Sequence, residues 1–307
     1  MLVSIIIPCY NAAGFIGNCL DSVLRQTHKE MEIICVDDGS TDNTFQVLED
    51  YCKNNSSLIS IIKQENGGAC KARNTGLKKS KGGYIQFLDS DDVLLPEKIE
   101  LQIKLAEKNN FPDLIVAPYK RIREGKEEIV EANKMDSWIG LIRGRLGCTC
   151  SNLFKTDSLR AVEGWNESMK SSQESELMFR LLKNDAKVAF DDHVGTIVYF
   201  RSVGSISSAE PSKNLVRYTQ LRFDIFNFLE SNKMLNEERE KALTNILLGS
   251  LRMLFKNDKS TAIKMHDEQF AGKFNVRSGI GISSFYSILY KMLGFKTSEK
   301  IISGTRK

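Results

Sequence analysis

Residues 84–92 read YIQFLDSDD, a short apolar run that ends in three carboxylates within four residues. Such a run predicts a buried strand. Strands of an open parallel sheet present ligand-binding groups at their carboxyl ends, so Asp89, Asp91 and Asp92 are expected in the crevice where ligands bind. Close carboxylates repel one another, which predicts a divalent cation held together with a diphosphate. The alternative is an acidic turn in which Asp92 caps the following helix.

The first 120 residues alternate between strand-like and helix-like patterns. Apolar runs typical of strands occupy residues 2–8, 32–36, 58–62, 84–88 and 114–116. Helical spacing of apolar residues occupies residues 12–26, 44–52, 71–79 and 96–108. Repeated βα units of this kind require a mostly parallel sheet with helices on its faces.

The charge distribution divides the 307-residue chain into two regions. Residues 1–210 hold 26 Lys and Arg against 30 Asp and Glu, whereas residues 211–307 hold 17 against 9. The length allows one large α/β domain with an appendage. We therefore expect a catalytic domain over 1–210 and a helical, basic C-terminal region over 211–307.

The seven cysteines are odd in number and lie mostly inside apolar patterns, so a disulfide framework is not expected. The spacing of Cys148 and Cys150 is not that of a zinc knuckle, and burial as small apolar residues is expected for both. The N-terminus lacks the features of a signal peptide, and no apolar run reaches the length of a membrane span. These features predict a reducing, cytoplasmic location.

Three strand ends carry groups suited to a nucleotide. Tyr10 follows the first strand, Asp37 and Asp38 follow the second, and the acids of residues 89–92 follow the fourth. An aromatic face stacks on a base, a carboxylate accepts a base N–H, and a metal-bound acid cluster holds phosphates. Neither the dinucleotide-binding nor the P-loop glycine motif is present. The glycines at 67–68 either let the backbone approach a ligand closely or form a plain turn.

Six motifs carry a specific resemblance in their order along about 90 residues. They are VSIIIPCYN at 3–11, SVLRQT at 22–27, VDDGSTD at 36–42, NGGA at 66–69, ARNTGL at 72–77 and FLDSDD at 87–92. In these motifs the chain resembles the family 2 glycosyltransferases. The resemblance implies an α/β fold of the GT-A type, with a mostly parallel, Rossmann-like sheet flanked by helices and a helical C-terminal extension.

The resemblance implies inverting transfer of a sugar from a nucleotide-diphosphate sugar, first of all a UDP-sugar, to an acceptor hydroxyl. Cell-surface polysaccharide or glycolipid synthesis is the expected setting. The expected partners are the donor and a glycan or lipid-linked acceptor, and no nucleic acid. A non-catalytic nucleotide-binding module of the same fold is the alternative.

The resemblance also assigns residues to roles. Nucleotide-binding residues by similarity are Pro8, Tyr10, Asn11, Asp38, Gly68, Arg73, Asp89 and Ser90. The metal, Mn²⁺ or Mg²⁺, is assigned to Asp91, with Asp89 nearer the ribose and the metal waters. Many relatives carry a histidine that joins the metal in the segment after the helix at 171–180, but the matching residues 199–207 contain none. Metal binding is then expected to rest on Asp91, phosphates and water.

The general base by similarity is Glu174, in the segment SSQESELMFR at 171–180. The segment departs from the family pattern in two ways, with Glu in place of the usual aspartate and Gln173 in place of the preceding acid. Glu176 is the rival base, although a helix would turn it about 200° away from Glu174. A solvated helix N-terminus rich in acids is the structural alternative for both.

The basic C-terminal region has helical patterns at 215–229, 237–255 and 283–293. The last pattern combines apolar residues with lysines, as interfacial helices do. It predicts weak, peripheral association with the inner face of the membrane, with Phe285, Leu289 and Leu293 on the lipid-facing side. Docking on the chain's own core, or on the partner in a homodimer, stays open.

Overall fold

The computed structural model describes residues 1–134, 136–200, 210–278 and 281–304. The chain divides into two compact units, Met1–Val203 and Gly204–Lys307. The part of the expected histidine segment that follows Phe200, at 201–207, lies outside the described residues.

The first unit contains a seven-stranded sheet. Its strands are β1 Val3–Cys9, β2 Met31–Asp37, β3 Ile59–Lys63, β4 Tyr84–Phe87, β6 Leu114–Val116, β9 Leu153–Lys155 and β10 Val188–Phe190. Their order across the sheet is β10-β6-β9-β4-β1-β2-β3. Only β9 runs antiparallel to its neighbours, β4 and β6. The predicted mostly parallel sheet is therefore confirmed, with β1 and β4 side by side at its centre.

Four further strands form a second, smaller sheet. They are β5 Val93–Leu94, β7 Tyr119–Arg123, β8 Lys126–Val130 and β11 Thr196–Phe200. Their order is β5-β11-β7-β8, and β11 pairs in parallel with β7. Because β5 follows the acidic turn directly, this sheet fixes the chain on the downstream side of that turn.

Seven helices lie within the described residues of the first unit. They are α1 Ile16–Leu24, α2 Thr44–Asn54, α3 Ala69–Lys79, α4 Lys98–Lys108, α5 Ser137–Arg143, α6 Thr156–Ala161 and α7 Gln173–Lys183. The proposed cap by Asp92 is wrong, because α4 begins at Lys98 and its cap position is Glu97. Asp92 is instead drawn into the interior by hydrogen bonds to other segments.

Helix α3 packs very closely on the central strand. A Cβ atom at Gly76 would lie 2.4 Å from Cγ2 of Ile6, so only glycine allows this approach. The close contact brings Arg73 and Asn74, one turn earlier in the same helix, to the edge of the sheet where β4 ends.

The second unit is helical, as predicted. Its helices are α8 Pro211–Ser231, α9 Glu237–Asn257, α10 Lys259–Met265 and α11 Ser284–Gly304, with a π-helical turn at His266–Phe270. Phe226, Phe270 and Phe274 pack together in its core, with ring centroids 4.4 to 4.6 Å apart. Across the described residues, we find no helix with both the length and the apolar character needed to cross a bilayer.

Helix α11 exposes Phe285 and Leu293, as predicted, but with Ile288 and Met292 in place of the predicted Leu289. Phe285 is 62% exposed, Ile288 59% and Met292 75%, whereas Leu289 is only half-buried. The backbone at Gly294 is non-helical, with φ 70° and ψ 174°. The helix therefore presents Phe285, Ile288, Met292 and Leu293 to solvent before this kink, and buries Tyr286 and Phe295.

Candidate active site

The acidic turn lies at the carboxyl end of β4, as predicted. Ligand atoms of Asp89, Asp92 and Cys150 lie within 4.8 Å of one another. Asp92 is buried, where it accepts hydrogen bonds from the Tyr199 backbone N–H at 2.9 Å and from the Cys150 thiol at 3.1 Å. Burial raises the pKa of Asp92, and the negative charges of Asp89 and Asp91 raise it further.

The donor set at this turn fits a hard divalent cation through its carboxylates. Mg²⁺ and Mn²⁺ prefer carboxylate and water oxygen over sulfur. Asp89 and Asp91 are half-buried within the turn, on either side of Ser90. Both carboxylate oxygens of Asp92 already accept hydrogen bonds, and Cys150 offers a thiol sulfur, which such a cation does not prefer. Asp91 and Asp89, the two residues expected to bind the metal, both belong to this turn and could supply carboxylate oxygens to the metal.

Arg73 of α3 balances the charge of the acidic turn. Its Nη2 atom lies 2.7 Å from Oδ1 of Asp89, and its Nη1 donates to Oε1 of Gln173 at 3.2 Å. The guanidinium also lies over the ring of Trp165, 4.6 Å from the centroid. Arg73 is itself buried, so a positive charge is fixed beneath Asp89.

Asn74, next to Arg73, fixes the segment that carries Trp165. Its amide donates to the Trp165 carbonyl at 2.8 Å, and its Oδ1 accepts from the Trp165 backbone N–H at 2.8 Å. The Trp165 ring packs edge-on against Phe87, the last residue of β4, at 5.2 Å. The sequence contained a signal for Asn74, its place in the ARNTGL motif, but none for Trp165.

Asp38 organises the turn at residues 67–68. Its carboxylate accepts hydrogen bonds from Gln64 at 2.7 Å, from the Gly67 N–H at 2.9 Å and from the Gly68 N–H at 2.7 Å. Gly68 has φ 86°, which favours glycine, and then starts α3. Asp37 and Asp38 are both buried. A base N–H could bind only to the carboxylate lone pairs of Asp38 that these three hydrogen bonds leave unused.

The end of β1 brings an exposed aromatic ring beside this turn. Tyr10 is 53% exposed, and Pro8 before it is half-buried. Asn11 has φ 48°, and its Oδ1 accepts from the Thr41 backbone N–H at 2.9 Å. Asn11 therefore ties the loop after β1 to the loop after β2 and leaves the Tyr10 ring available for stacking.

Glu174, in the first turn of α7, lines a cavity of about 140 Å³. Burial raises the pKa of Glu174 to about 7, helped by the charge of Asp89, while Arg73 and hydrogen bonds from Thr149 act in the opposite direction. The cavity wall includes Tyr119 and Cys148. No pattern in the sequence assigned a role to Tyr119 or Thr149.

Glu176 has a different environment. Both of its carboxylate oxygens lie 2.8 Å from the Arg180 guanidinium, in a bidentate ion pair. Gln173, at the other end of this turn, accepts from Arg73 and donates to the Met169 carbonyl. Of the two rival carboxylates, Glu174 is the one that lines the cavity.

Comparisons with known proteins agree with this architecture. The model of the family "Glycosyl transferase family 2" matches residues 4–185. An uncharacterised glycosyltransferase of Rickettsia typhi is 32% identical over 287 residues, which cover 89% of this chain and 87% of that protein. The chain spans about a third of the length of some other curated relatives it matches.

Two solved structures share the fold. TarS 1–349 of S. aureus in complex with UDP-GlcNAc has a TM-score of 0.68 at 21% identity, over 99% of this chain and 92% of that chain. A mannosyltransferase of Pyrobaculum calidifontis in complex with GDP-Man and Mn²⁺ has a TM-score of 0.58 at 15% identity, over 97% and 86%. Fold and site together define the class of GT-A glycosyltransferases.

The family match extends over more than half of the chain and includes β4, the acidic turn and α7. The chain belongs to glycosyltransferase family 2.

The pKa of Glu174 predicts a pH dependence of stability. A carboxyl whose pKa is about 7 when folded and about 4.5 when unfolded stabilises the fold below pH 4.5, and this contribution is lost as the pH rises through 7. As the pH rises from 4.5 to 7.5, the wild type should therefore lose roughly 1–3 kcal/mol of unfolding free energy relative to Glu174→Gln, whose amide does not titrate. Urea unfolding of both proteins across this range measures the difference. A difference that does not change with pH would contradict the environment assigned to Glu174.

Proposed function

We propose that the protein transfers a sugar from a nucleotide-diphosphate sugar, with a UDP-sugar as the first donor to test, to an acceptor hydroxyl with inversion. The proposed setting is the synthesis of a cell-surface polysaccharide or glycolipid. The observation that carries the proposal is the juxtaposition of two groups. Arg73 binds both Asp89 of the acidic turn, at 2.7 Å, and Gln173, the chain neighbour of Glu174, at 3.2 Å, so one guanidinium brings the acidic turn and the start of α7 together.

Glu174 has the properties of a general base in this reaction. A pKa of about 7 lets the carboxylate exist at neutral pH while it remains basic enough to accept a proton. The cavity beside it would hold the acceptor, so the hydroxyl proton passes to Glu174 as the oxygen attacks the anomeric carbon of the donor. Attack from the side opposite the leaving diphosphate gives inversion.

The donor would lie along the carboxyl edge of the sheet. Tyr10 offers a ring for the base, Asp38 an acceptor for a base N–H, and the turn at Gly68 a backbone surface. Arg73 holds Asp89 in position and balances its charge. Pro8, Asn11 and Ser90 shape the ends of the two loops.

Substitution of each rival carboxylate tests the assignment of the base. Glu174→Gln should lower turnover by roughly 10² to 10⁴-fold with donor affinity almost unchanged, because the amide cannot accept the proton. Glu176→Gln is the matched control and should stay within a few-fold of wild type. The measurement is release of nucleoside diphosphate together with detection of glycosylated product. No turnover in wild type with any donor would favour the nucleotide-binding module, and a larger loss in Glu176→Gln would reverse the assignment.

The metal is proposed to be Mn²⁺ or Mg²⁺, held by Asp91 and Asp89. Asp91→Asn removes a charged ligand, so stabilisation of the protein by UDP should no longer increase when the metal is added. Thermal unfolding with UDP, with and without Mn²⁺, measures this response. Asp157→Asn, which changes an exposed aspartate of α6, is the control and should keep the wild-type response. An unchanged metal response in Asp91→Asn would exclude this residue as a ligand.

We also propose that α11 binds anionic membrane surfaces. Phe285, Ile288, Met292 and Leu293 are exposed on it. The only acid of α11, Glu299, is buried and paired with Arg252 at 2.8 Å. The exposed charges of the helix are consequently the lysines at 291, 296 and 300. An apolar row flanked by lysines matches an interface with anionic lipid.

Vesicle binding of the full chain tests this proposal. The double change Phe285→Ser and Met292→Ser should weaken binding to phosphatidylglycerol-containing vesicles by about tenfold or more, because two apolar side chains no longer enter the bilayer. Met253→Ser is the control, since Met253 is 57% exposed on α9. Added salt should also weaken binding. Failure of the wild type to bind at low salt, or concentration-dependent dimers lost in the double variant, would assign this face to another role.

A further inference from the structure

The cavity beside Glu174 is small and has a mixed interior. Its volume is about 140 Å³, and Leu141, Leu146 and Met178 form its apolar walls. An engineered cavity of about 150 Å³ holds one benzene ring, whereas drug-sized ligands occupy roughly 300 to 1,000 Å³. The cavity therefore suits a single six-membered ring and is too small for a nucleotide sugar.

The interior of the cavity disfavours anions. Glu174 lies in its wall, and the charge of Asp89 already raises the pKa of that carboxyl. A second negative group inside would add to the same repulsion. Tyr119 also lines the cavity, and burial raises the pKa of its phenol, so the hydroxyl stays a neutral donor and acceptor. A neutral ring with hydroxyl groups and one apolar face matches this interior.

The rim of the cavity has the opposite character. Gly144 lines the cavity, and the residues on either side of it, Arg143 and Arg145, are both exposed. Residues 137–156 contain no Asp or Glu. Gly144 ends α5 with φ 64°, so the chain bends at this cavity-lining residue, with one arginine directly before the bend and one directly after it.

The two arginines have unusually free guanidinium groups. Within the described ranges, neither Arg143 nor Arg145 makes a side-chain hydrogen bond or an ion pair. The nearby β7–β8 hairpin differs, because Lys120 pairs with Glu127 at 2.9 Å and Arg121 with Glu128 at 2.6 Å.

Glu128 does not neutralise Arg145. The pKa of Glu128 is lowered first by the hydrogen bond and charge of Arg121, and only then by the charge of Arg145. Arg121 is therefore the ion-pair partner of Glu128, and the guanidinium of Arg145 keeps its donors available for a ligand.

We propose that the acceptor of this enzyme presents a neutral sugar ring next to an anionic group, a phosphate or a carboxylate. The ring enters the cavity with its reactive hydroxyl at Glu174, and the anion remains outside and binds Arg143 and Arg145. Guanidinium groups suit this role because they bind both anions through paired N–H donors. The inference rests on the proposed transferase function and adds the class of acceptor.

Matched acceptors test the inference. The probes are methyl glycosides of glucose, galactose and N-acetylglucosamine, each compared with its 6-phosphate, together with the methyl uronides of the first two. With UDP-sugars and Mn²⁺, at least one anionic probe should be used with kcat/KM about tenfold or more above its neutral form. The double change Arg143→Gln and Arg145→Gln should reduce this preference towards one, mainly through KM for the acceptor. Lys108→Gln changes an exposed lysine of α4 and should retain the preference.

Binding provides a readout that does not depend on turnover. Calorimetric titration of each 6-phosphate and each uronide into the UDP-loaded protein should show, for at least one of these probes, affinity that falls about tenfold or more in the double variant and is unchanged in Lys108→Gln. Equal affinity in wild type and double variant, no detectable binding to either, or equal use of neutral and anionic acceptors would overturn the inference and leave the transferase function intact. Absence of donor consumption with every acceptor, with binding of the 6-phosphate retained, would instead reject the proposed function. The 6-phosphate and uronide arms distinguish the two anions.

Discussion

The ion pair between Arg73 and Asp89 holds the candidate site together. A buried guanidinium is costly unless it is paired and hydrogen-bonded, and the two terminal nitrogens of Arg73 are paired with Asp89 and Gln173 while the group lies over the face of Trp165. These partners come from three separate segments of the chain. The position of the acidic turn is therefore set by a helix, a loop and a second helix that are far apart in sequence.

Helix α3 serves both ends of the expected donor site because of how closely it packs. Its first residues are fixed by the carboxylate of Asp38 through Gly68, and its middle carries Arg73. Gly76 then allows the helix to lie directly on β1. A shift of this helix would move the turn at residues 67–68 and the acidic turn together, so the helix couples the two halves of the candidate site.

The substitution of Gln173 for the usual acid has an explanation in the same network. Its amide oxygen accepts from Arg73, as a carboxylate would, but it adds no further negative charge beside Asp89 and Glu174. Charge at this point also affects Glu174, whose pKa is raised by Asp89 and lowered by Arg73. The departure from the family pattern thus preserves the hydrogen bond and changes only the charge.

The sequence alone determined five of the seven strands of the large sheet, because apolar runs and helical spacing are local properties of the chain, and the bounds of 114–116 agree fully with β6. It did not reveal β9, β10 or the second sheet. It also identified the acids after β4, since strand ends in a parallel sheet share one edge. It could not distinguish the environments of those acids. Asp92 is buried against Tyr199 and Cys150, and these contacts join segments more than 50 residues apart.

Tertiary structure alone decided several further features. Three of them depend on which side chains other segments cover. They are the unpaired guanidinium groups of Arg143 and Arg145, the bidentate pair of Glu176 with Arg180, and the exposed row on α11. Helical spacing predicted Leu289 on the lipid-facing side, because the spacing shows which residues share a face of the helix but not which face other segments cover. Packing of Tyr286 and Phe295 rotated the exposed face towards Ile288 and Met292, since burial is a property of contacts between segments that no local pattern contains.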